Sequence, residues 1–159
     1  MIAMLFSEEN YRFMYAALQE AEIAFDEKEI PVGAVIVKEG RIIGRGHNQT
    51  ERLKDPTAHA EMIAVTAASN TLHEERLTGC DLYVTLEPCI MCTGAALLAR
   101  VSNIYFAAFD AKFGACGSLY NLPSEGKYNH SLKVYSGILE KESQTLLQKF
   151  FKELREIKH

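Results

Sequence analysis

The chain has 159 residues, 48% hydrophobic and 24% charged, with a formal net charge of −4, which fits a single globular domain over residues 1–159 with a core of its own. That acidic balance argues against a broadly basic nucleic-acid surface, and no stretch approaches the ~20 apolar residues of a bilayer span. The opening "MIAMLFSEEN" has no basic residue before its short apolar run, which makes a poor signal peptide, so a cytoplasmic location with no membrane attachment is expected.

In chain order, Ser7 is a candidate N-cap followed by Glu8 and Glu9, and Met14, Ala17, Leu18, Ala21 and Phe25 then recur at helical spacing. "VGAVIVKEGRIIGRG" reads as two β-branched runs around a Glu39-Gly40 turn, a hairpin. A polar loop at 47–57 leads into a helix over about 57–69. "DLYVTL" is a strand, residues 88–100 a helix, and "NIYFAAF" another strand. That order with short joints predicts a parallel βαβ crossover. "SLKVYSGI" is the last strand and 140–157 a final amphipathic helix. The whole predicts an α/β fold, a three-layer α/β/α sandwich whose mixed sheet has about five strands.

Four cysteines, Cys80, Cys89, Cys92 and Cys116, are too few for a disulfide scaffold. Cys89 and Cys92 stand at i and i+3 on one helical face, with Pro88 suited to the first helical position. The positive end of the helix dipole favours their thiolates. By itself, such a pair also fits a redox couple or two packed core thiols. An isolated histidine such as His59 is more often a satisfied structural residue than a ligand.

Together, His59 and the two thiolates form a borderline-soft set that suits zinc and leaves a fourth tetrahedral position open. Both segments begin helices after strands, where sites of open α/β sheets gather. Glu61 would then stand beside the open position as the proton carrier. The rival metal reading is a closed structural site with Cys80 or Cys116 as fourth ligand, which leaves Glu61 without a task.

The pattern His59-Ala60-Glu61 followed by Pro88-Cys89-Ile90-Met91-Cys92 resembles the signature of zinc nucleobase deaminases. "EIPVGAVIV", "GHNQTERLKDPTAHAE", "TLEPCIMC" and "FDAKFGACGSL" follow in the order seen in bacterial tRNA adenosine deaminases, and the tail "NHSLKVYSGILEKESQTLLQKFFKEL" is similar to theirs. The resemblance covers the chain from about residue 7 onward. The Asp110 to Ser118 segment and the Phe150-Phe151 helix are its narrower marks.

The resemblance implies a cytidine-deaminase-like fold and hydrolytic conversion of adenosine to inosine at the wobble position of a tRNA anticodon. It also implies a homodimer with one zinc per subunit. Carried onto matching residues, Asn48 would hydrogen-bond the flipped base and the backbone at Ala60 would read its edge. Asp110 would face the flanking ribose or backbone, and Phe150 or Phe151 would contact the splayed anticodon loop.

Each has a structural alternative. Asn48 would organise its own turn, Asp110 would cap the loop after its strand, and the phenylalanines would join Leu146, Leu147 and Leu154 in an apolar stripe. From residue 141 the tail carries Lys141, Lys149, Lys152, Arg155 and Lys158 against Glu142, Glu153 and Glu156, a modest positive balance for phosphates. Cys116, Lys152 and His47 depart from the residues expected at their positions. Two further readings compete: a deaminase of guanine or another free base on the same fold, and a non-catalytic zinc-stabilised interaction module with four protein ligands.

Overall fold

The computed structural model describes residues 5–157. Lys158, counted above in the basic tail, lies outside them. Helix α1 (Glu8–Asp26) opens on the expected Ser7 cap. The Ser7 hydroxyl accepts from the Asn10 amide at 3.1 Å while the Asn10 carboxamide oxygen accepts from the Ser7 amide at 3.0 Å, so two amides of the uncapped first turn are satisfied at once. The hairpin follows as β1 (Gly33–Lys38) and β2 (Arg41–His47), turning at Glu39 and Gly40. Next come α2 (Ala60–Leu72), β3 (Cys80–Leu86), α3 (Ile90–Leu98), β4 (Asn103–Ala108), a short 3₁₀ turn (Leu122–Glu125), β5 (Lys133–Ser136) and α4 (Glu140–Ile157).

The sheet order is β2-β1-β3-β4-β5. β1 is antiparallel to both β2 and β3, whereas β3–β4 and β4–β5 are parallel, so the sheet is mixed and the crossover through α3 is as expected. Alternation along the strands divides the interior in two. Ala34, Ile36, Leu82, Val84, Ile104 and Phe106 face α2 and α3, while Val35, Val37, Tyr83 and Ala107 face α1. α4 packs beside α1 over β3 and β4, which completes the three layers.

Two helix starts differ from expectation, both for local reasons. α2 begins at Ala60 rather than near Thr57, because the Asp55 carboxylate accepts from both the amide and the hydroxyl of Thr57 at 2.8 and 2.7 Å. That side-chain turn competes with the helix and delays it. α3 has Cys89 as its N-cap, so Pro88 precedes the helix instead of opening it. The Pro88 carbonyl is taken by the Ala115 amide at 2.8 Å, and Cys89 forms a β-bridge with Gly114.

β2 and α2 meet through small residues. A Cβ on Gly44 would lie 2.4 Å from the Ala64 carbonyl oxygen, and Ala60, Ala64 and Ala68 are all fully buried against the sheet. This close seating sets where the N-terminus of α2 falls, beside the C-terminal ends of β3 and β4.

Candidate metal centre and its cavity

His59 caps α2 with extended backbone at φ −75° and ψ 153°, and Cys89 caps α3 at φ −75° and ψ 177°. Neither side chain makes a capping hydrogen bond to its own helix, and the positive ends of both helix dipoles lie at this site. The extended cap backbone also explains the spacing in His59-Ala60-Glu61. The imidazole leaves the chain before the helix starts, and Glu61 leaves from the first turn.

His59 Nδ1 lies 3.7 Å from Cys89 Sγ and 3.6 Å from Cys92 Sγ, and the three ligand atoms lie within 4.8 Å of one another. With bonds of ~2.0–2.1 Å to nitrogen and ~2.3 Å to sulfur, two ligands at a tetrahedral zinc are about 3.6 Å apart. The donor set and its spacing therefore fit that ion. Among the described residues no fourth histidine, cysteine or carboxylate joins the group. Cys116 instead sits 3.3 Å from the Thr93 hydroxyl, and Cys80 lies at the start of β3 with its thiol on the Thr78 carbonyl. A closed four-ligand site is not formed.

The electrostatics suit ionised sulfur. Contact with the Cys92 sulfur, and then with the His59 ring, draws the Cys89 thiol down to about 4. The same Cys89 contact holds the His59 imidazole above its ordinary value, against the effect of burial. Glu61 is 4% exposed, and burial pushes its carboxyl up to about 7, where a proton can be taken up and released near neutrality.

A cavity of about 310 Å³ opens beside the cluster, with His59, Glu61, Cys89, Asn48, Ala60 and Asp110 in its wall. The amide of Asn48 donates to the Val32 carbonyl at 3.0 Å. Its side chain lines the cavity, and no hydrogen bond from it to its own turn is found among the described residues. Asp110 does cap its loop, accepting from the amides of Lys112 and Phe113 at 3.0 and 3.2 Å, while still lining the cavity. Phe150 and Phe151 do not line it. Phe150 is 9% exposed and packs edge-on against Phe25 with centroids 6.2 Å apart, whereas Phe151 is 39% exposed. His47, the last residue of β2, bridges Glu20 and Glu27 at 3.5 and 3.0 Å.

Two residues at the site's rim escaped the sequence reading. Glu29 and Glu87 are buried carboxylates bonded to loop amides. The sequence signal is slight: each stands one or two residues before a proline near an end of an apolar strand, in Glu29-Ile30-Pro31 and Glu87-Pro88.

Residues 7–108 match the family described as the cytidine and deoxycytidylate deaminase zinc-binding region. The chain is 51% identical over 143 residues to a tRNA-specific adenosine deaminase of Aquifex aeolicus, covering 90% of this chain and 94% of that one. It is 47% identical over 146 residues to the enzyme of the same description from Bacillus subtilis, with 92% and 91% covered. A solved structure from work on A-to-I editing by tRNA:A34 deaminases at the wobble position superposes with a TM-score of 0.82 at 46% identity, over 86% of this chain and 99% of that one. A guanine deaminase from Nitrosomonas europaea shares the fold, with a TM-score of 0.78 at 22% identity and 93% and 86% covered.

Proposed function

Because this chain belongs to the cytidine and deoxycytidylate deaminase zinc-binding family, we propose that it hydrolyses adenosine to inosine and ammonia at the wobble position of a tRNA anticodon. The observation that carries this reading is the set of three metal-donor atoms beside a buried carboxyl, opening on one cavity that Asn48 also lines. His59, Cys89 and Cys92 would hold the zinc, whose Lewis acidity would make a water nucleophilic at neutral pH.

The remaining chemistry belongs to the chain. Glu61 takes a proton from the attacking water and passes it to the adjacent ring nitrogen, then takes the second proton from the added hydroxyl and delivers it to the departing amine. Its carboxyl carries that proton near pH 7 because it is buried. The amides of the first turns of α2 and α3 support charge that develops on the ring. Asn48 holds the base by its edge, with the backbone at Ala60 beside it.

A cavity of about 310 Å³ is at the small end of ligand pockets and admits a single splayed nucleotide rather than a paired one. An unpaired anticodon loop presents such a base. Asp110 faces the flanking sugar, and Phe151, exposed on α4, gives a stacking surface for the loop.

The reading takes residues 1–159 as one deaminase domain acting as a homodimer in the cytoplasm. Ile90 and Leu98, 57% and 84% exposed on α3, supply apolar surface for a second copy, and sedimentation of the zinc-loaded protein tests it. Function is tested with an anticodon stem-loop bearing a wobble adenosine, and with free guanine, identifying product bases by mass. Inosine from the stem-loop and no xanthine from guanine are expected, and the reverse pattern refutes the assignment.

A further inference from the structure

Glu29 and Glu87 are each 2% exposed. Among the described residues neither has a lysine, arginine or histidine within ion-pair distance. Burying a charge without a counter-ion is costly unless hydrogen bonds replace its water. Here backbone amides do so. The Glu29 oxygens accept from the amides of Glu51 and Arg52 at 3.0 and 2.9 Å. The Glu87 oxygens accept from Asp110 at 3.1 Å, from Cys116 at 3.1 Å and from Ser118 at 2.9 Å, and also from the Ser118 hydroxyl. Bonds to an ionised acceptor are the stronger kind.

The two sets of amides belong to two different loops, and each loop supplies part of the cavity wall. The first carries Asn48 and Thr50, the second Asp110 and Phe113. Both carboxylates, by contrast, leave the chain outside those loops, Glu29 from the connection between α1 and β1 and Glu87 from the end of β3. Glu29 precedes Ile30 and Val32, which line the cavity, and Glu87 directly follows β3 and is two residues from Cys89. Each carboxylate therefore ties a surface loop to the framework that holds the metal donors. The second loop sits so close that a Cβ on Gly114 would lie 2.3 Å from the Glu87 carboxylate.

We infer that Glu29 and Glu87 are a pair of positioning residues that fasten two loops of the cavity wall, Glu29 setting the loop that reads the base and Glu87 the loop that meets the flanking nucleotide. This rests on the RNA reading given above. Glutamine at either position keeps the shape but turns one acceptor oxygen into a donor facing an amide, which releases half of the tie.

The test measures kcat and KM for the anticodon stem-loop with zinc-loaded wild type, E29Q and E87Q, alongside zinc content and circular dichroism. E29Q is expected to lower kcat by about tenfold or more, because base reading belongs to the reacting complex, and E87Q to raise KM by about fivefold or more with kcat little changed. Both should keep wild-type zinc and secondary structure, which a general loss of fold would not. A variant whose two constants stay within about twofold of wild type removes its residue from the role.

Should either variant fail to fold, amide exchange in the wild type decides. The Glu51, Arg52, Asp110, Cys116 and Ser118 amides are expected to exchange more slowly than their loop neighbours, and unprotected exchange there overturns the inference. A wild type inactive on the stem-loop defeats the RNA reading, while amide exchange still tests the two ties.

Discussion

A Cβ placed on Gly46 would fall 2.3 Å from the carbonyl oxygen of Ala60, the first residue of α2. Only a residue without a side chain lets β2 approach the helix start that carries His59 on one side and Glu61 on the other. Gly46→Ala must push α2 away from the sheet. Thermal or urea denaturation should show a loss of about 1–3 kcal/mol, the usual range for overpacking a filled interior. Zinc affinity should fall with it, since the imidazole moves relative to the two sulfurs. Unchanged stability and metal affinity would mean that the contact relaxes without moving the helix.

Glu61 is placed beside the donor cluster and outside it. Glu61→Gln should therefore keep its zinc, as measured by metal analysis, and lose turnover by about 10²–10⁴-fold, the contribution typical of positioned proton transfer. Wild-type turnover in this variant would remove Glu61 from the chemistry, and loss of zinc would make it a ligand.

Metal removal should separate activity from fold. The two interiors on either face of the sheet do not depend on the cluster. A chelator should abolish deamination and lower the melting temperature while leaving far-ultraviolet circular dichroism close to native. Zinc at about 100 times its Kd adds roughly 2.7 kcal/mol by mass action. Zinc restored to His59→Ala should not recover activity. Global unfolding on chelation would instead make the metal a structural staple.

The adjacent phenylalanines of α4 should behave oppositely. Phe150→Ala removes a ring packed on Phe25 and should cost about 3 kcal/mol of stability. Phe151→Ala, at an exposed position, should leave stability within about 0.5 kcal/mol but weaken stem-loop binding by about 1–3 kcal/mol, the range for a stacked base. Binding unchanged by Phe151→Ala would take that ring out of the RNA contact.

The contrast between these two rings shows how far the sequence can be read. The apolar stripe of α4 is plain, but which ring it buries depends on Phe25, more than a hundred residues earlier. The metal motif was legible because its members are near neighbours of fixed chemistry: His59 and Glu61 in one segment, Cys89 and Cys92 in another. The hairpin and the parallel crossover were legible as local units, but the order β2-β1-β3-β4-β5 rests on pairings between distant segments, β1 with β3 and β4 with β5. The helix starts are not legible where a side chain or carbonyl is already engaged, Asp55 with Thr57 and Pro88 with Ala115. Glu29 and Glu87 were not found because their partners are backbone amides 22 to 31 residues away, and an amide leaves no mark in a sequence.

The central claim is that the cluster and Glu61 perform hydrolysis on a wobble adenosine. Its most direct test is the reaction of the zinc-loaded protein with an anticodon stem-loop in heavy-oxygen water, followed by mass analysis of the released nucleosides. Inosine at the wobble position carrying one solvent oxygen, formed with an equal amount of ammonia, is expected. Unaltered wobble adenosine in the presence of fully zinc-loaded protein would contradict the claim.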